Sequence, residues 1–145
     1  MTIGNMREEH VAALAELEKV CFSEPWSERA LREELHNPAA LFLVAQGETG
    51  EVLGYVGCQT VLDEGYITNV AAHPAARRQG VGRTLVAALL EHARARALSF
   101  VTLEVRVSNA PAIALYEQAG FRPVGTRRNY YSAPCEDALL MTRDL

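Results

Sequence analysis

One segment constrains the fold of this chain more than any other: Val70-Ala71-Ala72-His73-Pro74-Ala75-Ala76-Arg77-Arg78-Gln79-Gly80-Val81-Gly82-Arg83-Thr84. An extended apolar run stops at His73-Pro74, because proline has no N–H to donate and restricts the residue before it. After a basic, glycine-containing turn the period changes. Val81, Leu85, Ala88, Leu89 and His92 recur at three- and four-residue steps through Arg96, which predicts a long amphipathic helix. The amino-terminal N–H groups of such a helix have no intrahelical partners and together carry about half a positive charge, so they attract anions such as phosphate. Gly80 and Gly82 lack a Cβ and let oxygen atoms approach, while Arg77, Arg78 and Arg83 concentrate charge at the same point. The competing reading is structural: two glycines shape a tight helix entry and the arginines are solvated.

Two familiar phosphate-binding patterns are excluded here. GxxxxGK[ST] is absent, and a GxGxxG pattern fails because its third glycine position is Leu85. The rest of the chain supplies a frame around the turn. Thr2 to Gly4 is a short extended start, and Glu8 to Val20 spaces Val11, Leu14, Ala15, Leu17 and Glu18 as an amphipathic helix, with Leu14, Leu17 and Cys21 on one face. Ser27 can cap a second helix, Glu28 to His36, which Asn37-Pro38 stops. Leu41 to Ala45 and Val52 to Leu62 read as a hairpin, and Gly65 to Ala72 as another strand. Phe100 to Arg106 alternates, with Val101, Leu103 and Val105 on one side and Thr102, Glu104 and Arg106 on the other. Asn109 opens a further helix with Pro111 in its first turn and Gly120 just past its end. Strands near Phe121 to Tyr131 and Glu136 to Arg143 complete the order βααβββαβαββ, a mixed α/β sandwich with four helices on a central sheet.

Composition bounds what such a unit can do. The 145 residues suit one domain spanning 1–145, and no repeat, low-complexity tract or linker divides them. A net charge of -4 argues against a general nucleic-acid surface and is compatible with a basic polypeptide partner. No stretch reaches the ~18 to 20 apolar residues that cross a bilayer. Arg7, Glu8 and Glu9 interrupt the place where an export signal would need an apolar run, so the expected location is the cytoplasm. Cys21, Cys58 and Cys135 are odd in number and far apart, with no CxxC and no partnering HxxxH; neither a disulfide framework nor a metal site is signalled.

The motif Arg77-x-x-Gly80-x-Gly82, preceded by Thr68-Asn69-Val70-Ala71-Ala72-His73-Pro74 and followed by Leu103-Glu104-Val105-Arg106, Ser108-Asn109, Leu115-Tyr116-Glu117 and Gly120-Phe121, resembles the GNAT superfamily of acetyl-CoA-dependent N-acetyltransferases. The resemblance covers nearly the whole chain. Pro25-Trp26-Ser27-Glu28, Val61-Leu62-Asp63-Glu64, Arg127-Arg128-Asn129-Tyr130-Tyr131 and Glu136-Asp137-Ala138 are similar to the RimI-like branch, whose members acetylate the amino-terminal alanine of a small-subunit ribosomal protein. The short Ser132-Ala133-Pro134-Cys135 link departs from relatives in which it contains glycine or is longer, and it borders the acceptor side.

The resemblance implies that the acetyl-CoA pyrophosphate rests on amides of Arg78, Gln79, Gly80, Val81, Gly82, Arg83 and Thr84, with Arg77 beside them. It implies that the pantetheine arm pairs with Val70, Ala71 and Ala72 like an added strand, with Asn109 as a side-chain contact and no metal. The partner it implies is a ribosomal protein's amino-terminal peptide, with no nucleic acid and no membrane. Glu104 is then the base and Tyr116 the acid that meets the departing thiolate. Taken on residues alone, an ion pair with Arg106 is the favoured reading of Glu104, and packing on the sheet is the default reading of Tyr116. Trp26, Asp63, Glu64, Tyr130, Tyr131 and Glu136 are groove candidates, core packing being the other reading for Trp26 and Tyr131. The α-amine of a peptide, with a pKa of ~7.7 to 8.0, needs little help to become neutral, whereas a lysine at ~10.4 needs much. Other acceptors remain open at this point, as does a silent acyl-CoA-binding module.

Overall fold

The structure, a computed structural model, describes residues 1–145. Its elements run β1 (Thr2–Asn5), α1 (Glu8–Cys21), α2 (Glu28–Glu34), β2 (Ala40–Gln46), β3 (Val52–Val61), β4 (Glu64–Ala72), α3 (Val81–Ala95), β5 (Phe100–Arg106), α4 (Ala110–Gln118), β6 (Arg122–Ser132) and β7 (Cys135–Asp144). This is the order expected from the sequence, with a single turn of 3₁₀ helix at Pro74–Ala76 added. Helix α2 ends at Glu34, before the Asn37-Pro38 pair reaches it, and Leu62 lies in a left-handed turn at φ 55° instead of ending β3.

Seven strands form one mixed sheet in the order β1-β2-β3-β4-β5-β7-β6. All neighbours are antiparallel except β4 and β5. Alternation along the strands feeds a core on each face. On one side Leu85 and Leu89 of α3 pack with Leu43, Val56 and Leu103, and Tyr116 of α4 joins them. On the other side Val11 and Leu14 of α1 and Leu31 of α2 pack with Phe42, Val44 and Tyr55. Helices α3 and α4 therefore cover one face, α1 and α2 the other. The cap of α2 is as expected: Ser27 Oγ accepts from the Ala30 N–H at 3.0 Å.

Two irregularities in β4 open a site. Pairing between β4 and β5 covers only Glu64, Tyr66 and the residue between them, opposite Phe100 to Thr102; beyond that the strands separate. Against β3, the register jumps from Ile67↔Cys58 to Asn69↔Gly57, so Thr68 is an extra residue, a β-bulge. The bulge reverses the side on which the chain presents its residues. Ile67 belongs to the α3-side core before it, whereas after it Val70 and Ala72 pack toward α3 and Ala71 lies in the α1-side core.

Close packing of β3 on β4 relies on Gly54, where a Cβ would sit 2.5 Å from the Ala71 carbonyl oxygen and 2.9 Å from Val81 Cγ1. Because one obstacle is backbone, Gly54→Ala is expected to destabilise the fold by about 1–3 kcal/mol. Urea unfolding followed by circular dichroism should show a lower midpoint at an unchanged m-value.

Candidate functional site

The turn after β4 carries an unusual run of free donors. The N–H groups of Arg78, Gln79, Gly80, Val81, Gly82 and Arg83 donate to no group in the protein, two more than a helix start normally leaves. Arg78 (φ 68°) and Gly80 (φ 75°) are both left-handed, and alternation of hand along a chain gathers successive amides into an anion-binding concavity. Thr84 departs from the expectation: its N–H donates to the Gly80 carbonyl at 2.9 Å and its hydroxyl to the same oxygen at 2.7 Å, because Gly80 is the N-cap and Thr84 makes the first intrahelical bond.

The two glycines have different duties. A Cβ on Gly80 would meet nothing nearer than 3.9 Å, so glycine is favoured there by its positive φ. A Cβ on Gly82 would stand 3.3 Å from Leu115 Cδ2, so its smallness brings α4 against the start of α3.

Along β4, hydrogen-bond parity decides which groups are available. His73 N–H donates to Leu53 O at 2.7 Å, which makes that pair a hydrogen-bonded one in an antiparallel ladder. Counting back through the register, Ala71 exchanges bonds with Tyr55, while Val70 and Ala72 turn their N–H and C=O groups away from β3 toward the gap beside β5. Of the three residues expected to bind an extended arm, Ala71 is thus committed to β3. Val70 and Ala72 keep free edges, apart from a 3.6 Å contact from Cys21 Sγ to Ala72 O.

Glu104 lies across this gap on β5, on the α1 side of the sheet, with its side chain only 6% exposed. The ion pair with Arg106 is not formed. Arg106 instead meets Glu136 at 3.2 Å and stacks over the Tyr131 ring at 4.3 Å. It also donates to Pro134 O at 2.8 Å and Ala133 O at 3.3 Å. Glu104 takes Arg127 Nε at 3.1 Å and the hydroxyl of Tyr66. Tyr66 was not among the residues singled out from the sequence, and Arg127 was named there only within the Arg127-Arg128-Asn129-Tyr130-Tyr131 segment, without a role at the site. Tyr66 becomes visible only through the parallel register, which sets it opposite Thr102, two residues before Glu104.

Tyr116 is buried against Phe121 with ring centroids 5.8 Å apart, and its hydroxyl makes no hydrogen bond within the protein. Burial, then the nearby Tyr131, raises its pKa. Tyr131 is itself pushed up to about 12, first by burial and then by Tyr130 and Glu104, with Arg106 opposing. Tyr131 is thus close enough to Glu104 for that carboxylate to raise its pKa, and close enough to Tyr116 to raise that of Tyr116. Asn109 caps α4, its Oδ1 accepting the Ala112 N–H at 3.2 Å, while its amide nitrogen donates to no group in the protein.

The remaining groove candidates divide. Trp26 packs in the α1-side core, 6.1 Å from the Phe42 ring. Asp63 is tied to Ser99 through hydroxyl and backbone bonds. Tyr130 is exposed on the unpaired stretch of β6 beside Tyr131. Glu136 is held by Arg106 and by the Ser108 N–H at 2.8 Å.

Comparison with known proteins places these features in a family. The model of the acetyltransferase (GNAT) family matches residues 11–121. A Bacillus subtilis protein provisionally named a ribosomal protein bS18-alanine N-acetyltransferase is 40% identical, covering 96% of this chain and 92% of its own. The ribosomal protein bS18-alanine N-acetyltransferase of Escherichia coli is 36% identical over 97% of this chain and 95% of its own. The crystal structure of the ribosomal-protein-S18-alanine N-acetyltransferase from Escherichia coli superposes with a TM-score of 0.90 at 34% identity, covering 99% of this chain and 92% of that one.

The Glu136 lock is pH-sensitive. Bonds from Ser108 and Arg106 outweigh desolvation and hold its carboxyl below the usual 4.5. A depressed carboxylate stabilises the fold above its unfolded pKa and loses that contribution as pH falls through the folded one. In a two-dimensional NMR titration the Ser108 amide should therefore keep its shift down to pH 4.5 and move only below it.

Proposed function

This chain belongs to the GNAT family of acetyltransferases, and from that premise we propose that it transfers the acetyl group of acetyl-CoA directly to the α-amine of an amino-terminal alanine on a small-subunit ribosomal protein. The observation that carries the reading is the juxtaposition of a cradle of free amides, a free β4 edge at Val70 and Ala72, and a carboxylate across the gap at Glu104. An N-acetyltransferase needs these three together: a hold on the coenzyme's diphosphate, a track for its amide-bearing arm, and a proton acceptor near the thioester.

The donors and charges fit the coenzyme. Amides from Arg78 through Arg83, with the Arg77, Arg78 and Arg83 side chains nearby, take the diphosphate oxygens. The amides of the pantetheine arm replace the missing strand beside Val70 and Ala72, satisfying polar groups that β5 leaves open. The Val70 N–H, turned toward the gap, is the donor for the thioester oxygen as negative charge develops there.

Glu104 accepts the proton of the attacking amine, directly or through water. Tyr66 holds one of its carboxylate oxygens, and Arg127 covers the other until an acceptor displaces it. Tyr116, from the opposite face, donates a hydrogen bond to the departing thiolate. Full proton transfer from it is disfavoured, since a phenol at ~10 is already a weaker acid than a thiol at ~8.5 and burial raises the phenol further. The terminal amine is the acceptor that demands least of this site, because an appreciable share is neutral near pH 7. The names of the relatives supply the alanine and the ribosomal protein.

Mass spectrometry of a short peptide beginning with alanine, incubated with acetyl-CoA, should show one added acetyl group at the terminus. The same peptide with a blocked terminus, a lysine side chain and free polyamines should react far more slowly; faster turnover of any of these would replace the acceptor assignment. Glu104→Gln is expected to lower kcat/KM by roughly 10²- to 10⁴-fold. Tyr116→Phe should lower kcat by about tenfold, the scale of one hydrogen bond to a charged group. Calorimetric titration with acetyl-CoA should show similar affinity in both variants.

A further inference from the structure

Glu18 is a carboxylate buried where packing alone would place a hydrocarbon. It lies on α1 among Leu14, Leu17, Tyr55 and Trp26, with 1% of its surface exposed, and no arginine or lysine pairs with it. Both oxygens are occupied by donors from separate elements. Oε1 accepts the backbone N–H of Trp26 at 2.8 Å, and Oε2 accepts the Tyr55 hydroxyl at 2.7 Å. An unpaired buried carboxylate gives little net stability over a well-packed apolar side chain, so its particular effect is geometric. It fixes the segment 22–27 between α1 and α2 to a rigid strand of the sheet.

That segment reaches toward the active face. Ser23 Oγ donates to Ala133 O, and Ser132 Oγ donates to Glu24 Oε1. The two loops are thereby joined, the α1–α2 loop to the β6–β7 turn. Arg106 grips the same turn from β5, where it follows Glu104 by two residues, and stacks under Tyr131. A continuous line of contacts therefore runs from Tyr55 through Glu18, the Trp26 loop and the β6–β7 turn to the surroundings of Glu104. The loop and the turn form a strap over the side of the sheet opposite α3 and its amide cradle.

We infer that Glu18 is a positioning residue for the acceptor: by holding the Trp26 N–H it sets the α1–α2 loop, and with it the strap under which the peptide terminus reaches Glu104. The inference rests on the reading of the Glu104 face as the acceptor side. It separates the two substrates, because the free amides for the coenzyme's diphosphate lie on the β4–α3 turn, and the line approaches the coenzyme side only through Ala71 opposite Tyr55 and the 3.6 Å contact of Cys21 Sγ with Ala72 O.

Glu18→Met preserves length and helix preference but removes both acceptors, whereas Glu18→Gln keeps a carbonyl for Trp26 N–H and offers its amide to the Tyr55 oxygen. Tyr55→Phe removes the bond to the sheet and leaves the Trp26 bond. With the full chain, acetyl-CoA and the alanine peptide, the Met variant is expected to raise peptide KM by about tenfold with kcat and acetyl-CoA affinity changed less than about threefold, and the Gln variant to restore KM. Tyr55→Phe, which frees Glu18 from the sheet but keeps the Trp26 bond, should raise peptide KM by about threefold, less than the Met variant, with acetyl-CoA affinity unchanged. Wild-type peptide KM in Glu18→Met overturns the inference. So does a parallel rise in peptide KM and acetyl-CoA Kd in Glu18→Met and Tyr55→Phe alike, tracking lost thermal stability, since that is a packing role.

Hydrogen exchange of segment 22–27 gives a readout that needs no turnover. Faster exchange there in the Met variant, with wild-type rates in the Gln variant, supports the anchor; unchanged exchange overturns it. A wild-type protein that binds acetyl-CoA yet leaves the peptide unmodified would instead remove the acceptor assignment and with it the role of the strap.

Discussion

The early end of the ladder between β4 and β5 governs the rest of the structure. Two parallel strands that pair over three residues and then part leave N–H and C=O groups on facing edges, and an uncovered edge is a demand for hydrogen bonds. Here the demand falls at the carboxyl end of β4, where the chain turns into α3 and its free amides. One continuous stretch thus offers a polar strand edge and then an anion cradle. An extended molecule with amides along its arm and phosphates at its end satisfies both. The bulge at Thr68 completes the arrangement by turning Val70 and Ala72 toward the α3-side core while Ala71 faces the other.

Separation of the strands also divides labour between the faces. Cradle, α3 and α4 with Tyr116 belong to one side; Glu104, Tyr66 and the strap of loops belong to the other. The gap is the passage between them. In the proposed reaction a thioester in that passage would meet the Glu104 carboxylate from one face and the Tyr116 hydroxyl from the other. Tyr131, whose ring Arg106 stacks on at 4.3 Å, raises the pKa of Tyr116 and is raised in turn by Glu104.

The two buried glutamates illustrate how environment sets purpose. Glu104 has one partner that is largely exposed, Arg127, so that oxygen is uncovered whenever the guanidinium swings into solvent. Glu18 has two partners, both inside the protein, one a backbone N–H and one a fully buried phenol. The first arrangement suits exchange of partners. The second suits permanence, and permanence is what a loop bordering a binding site requires.

Local patterns along the chain determined much: the period change at Gly80, the alternation of Phe100 to Arg106, the caps at Ser27 and Asn109, and therefore the order of all eleven strands and α-helices. Such features depend on residues a few positions apart, whose relation is set by helix and strand geometry alone. The motif at Arg77 to Gly82 located the run of free amides for the same reason. Partner choice was another matter. Glu104 and Arg106 share a strand face, yet Arg106 turned to Glu136 and Glu104 to Tyr66 and Arg127, because β7, β4 and β6 bring those side chains within reach. Likewise Thr84 and Ala71 sit inside the recognised motif but spend their amides on the fold, and Trp26 serves the core. Register, bulges and strand separation decide these outcomes, and they arise from packing between segments far apart in sequence, where no short pattern carries the information.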